Sequence, residues 1–357
     1  MKQKLKKLFK IINPLQKRDN LLVDRIMINV ASSCFFKCKT CNIWKNKEEC
    51  SIDFEKFKEI IDDLKKIGHN KTEVLFVGGE PLINKKLSDM IKYTKQKELD
   101  PHIVTNGWLL NKEMVVKLVK SDLSVIGISL DETKEIHDNI RGMPGSYNRV
   151  LKGFELVKNI SKVYNSSIGS SAIITLSGMN IDNIPCLVKE ILKNKNIDCF
   201  WIQAISPPFA DTRIDPFGKM MYNNSKINWF EHPDLKSLWP SNNLKIEKVY
   251  KYLIKLSKQN QKIHNWENNL KLQKQYFLNN ENASNNIHCT HYKTLLIMPN
   301  GDIMQCTPLN RTMGNIHKTS LLKIWRSKKR LKEKEFIMNC KTNCYAVKNC
   351  VTEISED

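Results

Sequence analysis

The sequence predicts an α/β fold built on a parallel sheet, and three observations lead to this prediction. Six apolar segments rich in valine and isoleucine alternate with amphipathic helical segments between residues 24 and 205. Within each of these segments apolar residues follow one another without regular alternation, which is typical of parallel strands covered on both faces. Six consecutive strand–helix repeats indicate one parallel sheet, either open or curved into an incomplete barrel.

Each element follows from its own residues. The strand segments, in order, are DRIMINV, TEVLFVG, DPHIVTN, LSVIGISL, SIGSSAIIT and IDCFWIQAI. The helical segments between them repeat apolar residues at a spacing of about 3.6 residues: DFEKFKEIIDDLKKIG, KKLSDMIKYTKQKEL, KEMVVKLVK, SYNRVLKGFELVKNI and NIPCLVKEILKN. Beyond residue 205, the prolines of SPPFADTRIDPFG and the polar run NNENASNNI interrupt the pattern. Between these two runs, LKIEKVYKYLIKLSKQNQKI predicts one more helix.

These changes in character divide the 357 residues into four predicted regions. They are a basic amphipathic segment over 1–20, the strand–helix region over 21–210, a linking helical region over 211–285 and a cysteine-rich region over 286–357. With 41% hydrophobic residues, the chain is long and apolar enough for a substantial core.

The chain carries a formal net charge of +21. Its lysines are spread over every predicted helix and form no block interleaved with aromatic residues, which favours a solvated basic surface over a nucleic-acid site. No apolar run approaches the roughly 20 residues that a membrane-spanning helix needs, and the first residues lack the apolar core of a secretory signal. We therefore expect a cytoplasmic protein.

Residues 2–15 form a local basic and amphipathic stretch. Five apolar residues recur there at helical spacing opposite four lysines: Leu5, Leu8, Phe9, Ile12 and Leu15 opposite Lys2, Lys6, Lys7 and Lys10. Such a helix either packs on its own domain or lies weakly on an anionic membrane surface.

Three cysteines crowd the loop that follows the first predicted strand. Cys34, Cys38 and Cys41 are spaced C-x3-C-x2-C. In a reducing compartment such a group indicates metal binding or catalysis rather than disulfides. Structural zinc needs a fourth ligand, for which Cys50 is the candidate. A [4Fe–4S] cluster suits the spacing better, because three thiolates leave one iron open to bind something else.

Polar motifs also follow the next three predicted strands, namely GGEP, TNG and SLD. The carboxyl ends of parallel strands share one edge of a sheet, where α/β proteins bind their ligands. The glycines of GGEP allow a backbone to approach a ligand closely, and Glu80 offers a carboxylate to an ammonium group. We therefore expect the cysteine loop and these motifs to form one site.

Taken together, these motifs resemble the radical S-adenosylmethionine (radical SAM) family, in which C-x3-C-x2-C follows the first strand of a strand–helix array. The resemblance implies a partial (β/α)6 TIM-like barrel, a [4Fe–4S] cluster on Cys34, Cys38 and Cys41, and S-adenosylmethionine on its open iron. It further implies cleavage of that cofactor to a 5′-deoxyadenosyl radical that removes hydrogen from a substrate. A partner such as a flavodoxin or ferredoxin would supply the electron.

The resemblance also implies a set of cofactor-binding residues. They are Gly78, Gly79, Glu80, Thr105, Asn106, Ser129, Asp131 and Arg141. GGEP would border the methionine part of the cofactor, while Ser129 and Arg141 are candidates for its carboxylate or ribose. The last two lie in GISLDETKEIHDNIRG, which is similar to the S-x-D…HD-x-x-RG run of family members with a C-terminal SPASM domain. Thr40 departs from the family, which often has an aromatic residue before the third cysteine.

The late cysteines follow a second pattern. CTHYKTLLIMPNGDIMQC is followed by GNIHKTSLLKIWRS and then by CKTNC. IMPNGDIMQC predicts a hairpin with an Asn-Gly turn, and LLKIW predicts a helix packed on it. This order resembles a SPASM appendage or its shorter twitch form. The resemblance implies one auxiliary [4Fe–4S] cluster on Cys289, Cys306, Cys340 and Cys344, with Cys350 as an alternative fourth ligand.

The substrate is the least determined feature. Relatives of this kind act on peptides, on sulfatase proteins and on small molecules such as aminosugars. Thr307 stands where sulfatase-maturing relatives carry an aspartate, and residues 1–20 are too short for a leader-peptide-binding domain. We therefore expect a small-molecule or carbohydrate-like substrate, with peptide or protein modification as the alternative. A non-catalytic metal protein that binds nucleic acid is a third possibility, which would make the motif matches coincidental.

Overall fold

The computed structural model describes residues 21–46, 51–208, 219–278, 287–306, 308, 311–340 and 352–354. The predicted amphipathic stretch 2–15 lies outside the described residues, as do four residues singled out above: Cys50, Thr307, Cys344 and Cys350.

Six parallel strands form the centre of the fold and neighbour one another in chain order. They are β1 (Val23–Ala31), β2 (Gly68–Gly78), β3 (Asp100–Thr105), β4 (Val125–Ser129), β5 (Gly169–Leu176) and β6 (Cys199–Ala204). Each pairs with the next in parallel, as Ile28 does with Phe76 between β1 and β2. The six predicted strands and the partial (β/α)6 barrel that they build are confirmed.

Six helices connect these strands. They are α1 (Phe54–Ile67), α2 (Leu87–Gln96), α3 (Lys112–Lys120), α4 (Lys134–Arg141), α5 (Ser146–Val163) and α6 (Ile184–Lys193). Asp53 caps α1 by accepting a hydrogen bond from the Lys56 amide, and Asn111 caps α3 in the same way. Helix α4 was not predicted, because KEIHDNIR is short and holds only two apolar residues. In the part of the chain that the structure describes, no helix is long and apolar enough to span a bilayer.

The two faces of the sheet differ in burial. Helices cover one face, where side chains such as Ile28, Phe76 and Ile126 are fully buried. Alternate residues point to the other face, and side chains there, such as Leu75 and Trp201, stay partly exposed. The covered face therefore forms the core, and the other face is open to a ligand.

Several charged side chains lie together toward the amino ends of β1–β3, away from the carboxyl ends of these strands. Arg25 pairs with Glu73 at 2.7 Å, and His102 lies 3.4 Å from Glu73 and 2.8 Å from Asp100. Burial lowers the pKa of His102, but the two carboxylates outweigh it and the net shift is upward.

The region between β6 and the late cysteines seals one edge of the sheet. It contains the hairpin β7 (Lys219–Tyr222) and β8 (Ser225–Asn228), then α7 (Asn243–Ser257) and α8 (Glu267–Phe277). Helix α7 is the predicted one; the hairpin and α8 were not predicted. The Asn265 side-chain amide bonds both the N–H and the C=O of Ile202, each at 2.7 Å. A side chain thus satisfies backbone groups that an edge strand would leave open.

The cysteine-rich region adds strands to the opposite edge. After β9 (Ile287–Cys289), β10 (Thr294–Ile297) pairs in parallel with β1, and β11 (Asp302–Met304) and β12 (Gly314–Asn315) extend the sheet in antiparallel fashion. The predicted hairpin is β10–β11, with Gly301 at φ 85° in its turn. The predicted helix is α9 (Leu321–Trp325), followed by α10 (Lys328–Met338), and β13 (Thr352–Ile354) pairs with β9. The appendage is therefore continuous with the barrel sheet, which the sequence did not predict.

Candidate active site

The cysteine loop and the GGEP motif meet where β1 and β2 end. The Gly79 amide donates to the Ala31 carbonyl at 2.8 Å, and the Glu80 amide donates to the Ser33 carbonyl at 3.1 Å. These bonds continue the pairing of β1 with β2 into the residues just before Cys34. The predicted meeting of these two motifs is thus observed.

The two glycines are needed for this close approach. A Cβ on Gly79 would lie 1.9 Å from the Ser33 carbonyl oxygen, and one on Gly78 would lie 2.3 Å from that of Ala31. Gly78 also has φ 134°, a conformation that other residues rarely adopt. The neighbour that requires glycine here is the cysteine loop itself, whereas the sequence suggested a ligand.

Glu80 joins the second motif to the third. Its side chain is fully buried and accepts hydrogen bonds from the Thr105 hydroxyl at 2.6 Å, the Asn106 amide at 2.8 Å and the Leu82 amide at 3.1 Å. Burial raises the pKa of this carboxyl, and the three donors act against that rise. Through these three hydrogen bonds Glu80 stabilises the site. Its predicted binding of a ligand's ammonium group stays a prediction.

Asn106 completes the link back to the cysteines. Its side-chain nitrogen lies 3.9 Å from the sulfur of Cys34, and its side-chain oxygen accepts from the Trp108 amide at 3.0 Å. The loop, GGEP and TNG therefore form one connected arrangement at the carboxyl ends of β1, β2 and β3.

The three thiols are partly shielded from water. All three are half-buried, and burial raises the pKa of Cys34 to about 11, with smaller increases from Cys38 and Cys41. Burial also raises the pKa values of Cys38 and Cys41. Trp44 lies beside them and donates from its indole to the Cys41 carbonyl at 2.9 Å. Thiols in such a setting become thiolates only when nearby positive charge compensates them, as a metal does.

Arg141, at the end of α4, supplies a positive charge next to this loop. Its Nε lies 2.7 Å from the Asp131 carboxylate. Burial raises the pKa of the Cys38 thiol, and the charge of Arg141 acts against that rise. Asp131 is fully buried and accepts the Thr175 amide at 2.9 Å. Asp131 therefore neutralises and orients the guanidinium.

Two neighbours of this ion pair, His137 and Asp138, hold the local backbone. The Nδ1 of His137 accepts the Asp131 amide at 3.1 Å, and burial with the nearby Arg141 lowers the pKa of His137 to about 4. Asp138 accepts the backbone amides of Gly145 and Tyr147, at 2.6 and 2.8 Å. The imidazole is therefore neutral, and the carboxylate shapes the turn that begins α5.

Ser129 and an aromatic pair border the arrangement. Ser129 is the last residue of β4 and is almost buried. Phe36, fully buried in the cysteine loop, packs edge-on against Trp108 after TNG, with ring centroids 5.9 Å apart. This aromatic pair was not predicted, although both residues adjoin predicted motifs.

The late thiols lie in a separate group of packed side chains. Cys289 is buried against Leu272 of α8 and Ile337 of α10, and Cys306 packs on the same group. Cys340 follows α10 closely, because its amide bonds the Ile337 carbonyl at 3.2 Å. The structure thus brings two of the predicted auxiliary ligands together and places the third nearby.

The donor types fit iron–sulfur chemistry. Thiolates are the ligands of iron–sulfur clusters, and the described cysteines of both groups are buried or half-buried. Within the described ranges, no three Cys, His, Asp or Glu side chains are grouped so as to hold one metal ion. This does not bear on a cluster, in which each thiolate binds a different iron.

Comparison with known families agrees with this chemistry. Residues 28–191 match the model of the radical SAM superfamily, and residues 289–350 match the SPASM model, described as an iron–sulfur cluster-binding domain. The first match spans β1 to α6, and the second includes Cys289, Cys306 and Cys340.

Individual proteins support the same assignment. The Fe-coproporphyrin III synthase of Methanosarcina barkeri is 32% identical over 180 residues, which are 49% of this chain and 43% of that protein. The PqqA peptide cyclase of Granulibacter bethesdensis is 23% identical over 46% of this chain and 42% of its own length. The chain spans less than half the length of either relative in these matches.

A solved structure shows the same fold over nearly the whole chain. Streptococcus suis SuiB bound to S-adenosylmethionine superimposes with a TM-score of 0.63 at 19% identity, covering 98% of this chain and 77% of SuiB. The two matched domains imply S-adenosylmethionine with a [4Fe–4S] cluster in the barrel and auxiliary iron–sulfur clusters in the appendage. The chain belongs to the radical SAM superfamily, a family of enzymes, and carries a SPASM domain after its barrel.

Proposed function

We propose that this chain reductively cleaves S-adenosylmethionine at a [4Fe–4S] cluster held by Cys34, Cys38 and Cys41, and abstracts a hydrogen atom from its substrate. The observation that carries the proposal is the joining of the cysteine loop, GGEP and TNG through Glu80 and Asn106. When bound, cluster and cofactor together supply a 5′-deoxyadenosyl radical able to attack an unactivated C–H bond.

The protein's own residues position and shield these groups. Glu80 fixes the ends of β2 and β3 relative to each other, so that the backbone facing the cofactor is preorganised. The half-buried loop and the Phe36–Trp108 pair limit access of water to the thiols. We assign binding of the cofactor to the backbone of Gly78 and Gly79 and to side chains at the carboxyl ends of the strands: Glu80, Thr105, Asn106, Ser129, Asp131 and Arg141.

We propose that the second group of thiols holds one auxiliary [4Fe–4S] cluster on Cys289, Cys306, Cys340 and Cys344, with Cys350 as the alternative to one of the last two. The packing of the buried Cys289 and the half-buried Cys306 on the same group of side chains supports this role. A fully ligated cluster leaves no iron open, so it would relay an electron or stabilise the fold.

We propose that an acidic electron carrier of the flavodoxin or ferredoxin class docks over the cysteine loop. Residues 32–46 contain no acidic residue, while Lys37, Lys39 and Lys45 are exposed beside the thiols. Phe35 adds a partly exposed apolar side chain. Such a mixed basic and apolar surface matches the small, charged interfaces of transient electron transfer.

For the substrate, the relatives support two classes to a similar degree. The peptide cyclase supports a ribosomal peptide, and the Fe-coproporphyrin III synthase supports a small molecule. Carbohydrate-like molecules fall within the second class. We place the reaction in the cytoplasm, because cysteines that bind iron–sulfur clusters must stay reduced and a reducing compartment keeps them so.

Anaerobic reconstitution with iron and sulfide, followed by dithionite and S-adenosylmethionine, tests the central proposal. We expect about eight irons per chain from two four-iron clusters, together with formation of 5′-deoxyadenosine. The triple variant Cys34→Ala, Cys38→Ala, Cys41→Ala should lose cleavage and about four irons, whereas Cys186→Ala, an exposed thiol far along the chain, should lose neither. Cleavage that persists in the triple variant contradicts the proposal. Deuterium transfer from labelled peptides or small molecules into 5′-deoxyadenosine then separates the two substrate classes.

A further inference from the structure

The end of helix α4 contacts the cysteine loop on both sides of Cys38. The Lys39 amide donates to the Ile140 carbonyl at 2.9 Å. On the other side of Cys38, a Cβ on Gly142 would lie 2.4 Å from the Lys37 carbonyl oxygen, so these two backbones are in direct contact. Gly142 can sit this close because it is a glycine in the left-handed conformation, with φ 60°.

Arg141 lies between these two contacts, and Cys38 lies between their partners in the loop, so the two residues are neighbours. The Arg141 side chain is 13% exposed, and its partner Asp131 is fully buried. Four contacts hold Asp131: the ion pair with Arg141, the Thr175 amide, the bond from its own amide to His137, and the Asn180 side chain on its carbonyl. A guanidinium fixed in this way loses little freedom on approaching a thiolate.

A fixed positive charge beside a cluster ligand has a definite consequence. One-electron reduction makes an iron–sulfur cluster more negative, and a neighbouring cation stabilises the more negative state. The partial burial of the thiols strengthens this interaction, because water screens it poorly there.

We propose that Arg141, oriented by Asp131, is a positioning residue that raises the reduction potential of the cluster on Cys34, Cys38 and Cys41, so that the electron donor can reduce it. This rests on the proposed function and assigns Arg141 a role toward Cys38 besides that of a cofactor ligand. The carboxylate prevents the guanidinium from turning away, and Gly142 and Lys39 keep the loop within its reach.

The test is a potentiometric titration of the reconstituted full chain, followed by the EPR signal of the reduced cluster that changes on addition of S-adenosylmethionine. In Arg141→Gln, the ratio of reduced to oxidised cluster at a fixed potential should fall about tenfold, which equals a shift of about 59 mV to lower potential. Arg141→Lys keeps the charge and should stay within about twofold of the wild type. Arg25→Gln removes an equal charge at the opposite end of β1 and should leave the potential unchanged.

Binding of S-adenosylmethionine to the oxidised protein is measured in parallel by equilibrium dialysis. An unchanged potential in Arg141→Gln with at least tenfold weaker cofactor binding would overturn the inference, because Arg141 would then act only on the cofactor. Equal shifts in Arg141→Gln and Arg141→Lys would overturn it as well, because charge would not be the cause. A wild-type chain without a cofactor-responsive signal would overturn the proposed function, and the inference with it.

Discussion

Replacing Gly79 by alanine tests whether the glycines of GGEP serve the cysteine loop or a ligand. The added Cβ would lie 1.9 Å from the Ser33 carbonyl oxygen and 3.0 Å from the Cys34 amide nitrogen. A Cβ contact to oxygen must lengthen to at least 3.0 Å, so the backbone of β2 and that of the loop must separate by more than 1 Å. The Glu80 amide would then lose its bond to Ser33.

These contacts determine the expected loss in the free energy of unfolding. Overpacking against rigid backbone costs about 1–3 kcal/mol, and one lost backbone hydrogen bond about 1 kcal/mol. We therefore expect Gly79→Ala to reduce the free energy of unfolding by about 2–4 kcal/mol. Because Cys34 moves with Ser33, the variant should also bind fewer than the full number of irons, and formation of 5′-deoxyadenosine should fall about 100-fold or more.

The control is Gly169→Ala at the start of β5, where the nearest atoms to an added Cβ lie at an ordinary 3.8 Å. Anaerobic thermal unfolding, iron and sulfide analysis, and the cleavage assay are run on both variants. If Gly79→Ala matches Gly169→Ala in stability and iron content but binds S-adenosylmethionine more weakly, the glycine serves the ligand and the reasoning from the loop is refuted.

Four further predictions follow from the same structure. Glu80→Gln turns one carboxylate oxygen into an amide nitrogen that faces a backbone donor, so the free energy of unfolding should fall by about 2–3 kcal/mol; thermal melts equal to wild type would contradict this. Reversing the charges of Lys37 and Lys39 to glutamate should slow reduction by an acidic flavodoxin and weaken its salt dependence, while reduction by dithionite stays fast; equal stopped-flow rates with flavodoxin would argue against docking there. The raised pKa of His102 contributes stability below the unfolded pKa, about 6.5, that is lost as pH rises through the folded value, so His102→Gln should cost more stability at pH 6 than at pH 9 in urea titrations; an equal cost would refute the ion pair. Asp63 accepts the Leu322 amide at 3.0 Å from across the barrel surface, so Asp63→Ala should loosen α9 and speed hydrogen exchange there; unchanged exchange by mass spectrometry would count against this contact.

The sequence by itself determined the strands and most of the helices of the barrel, because these elements follow from local patterns of apolar residues. Five of the helices follow from apolar residues at helical spacing, and the six barrel strands follow from continuous apolar runs; both patterns report burial directly. The proximity of the cysteine loop, GGEP and TNG could also be predicted, because residues at the carboxyl ends of parallel strands must share one edge of the sheet. Cys34, Gly79 and Asn106 were therefore expected together before any contact was known.

Only the tertiary structure decided what these residues touch. Glu80 turned out to be buried against Thr105 and Asn106, and Gly79 to be packed against Ser33, because both depend on how closely β2 meets its neighbours. The position of Arg141 beside Cys38 depends on α4, whose eight residues contain only two apolar side chains, too few to identify the helix from the sequence.

The sequence likewise did not reveal that β10 of the cysteine-rich region pairs with β1 of the barrel. A strand such as β10 has the same apolar sequence whether it closes its own hairpin or also pairs with β1, because backbone hydrogen bonds carry no side-chain signature. Sequence patterns record which residues are buried and at what spacing. Which backbone edges meet, and which side chains fill the space between them, is fixed only when the whole chain packs.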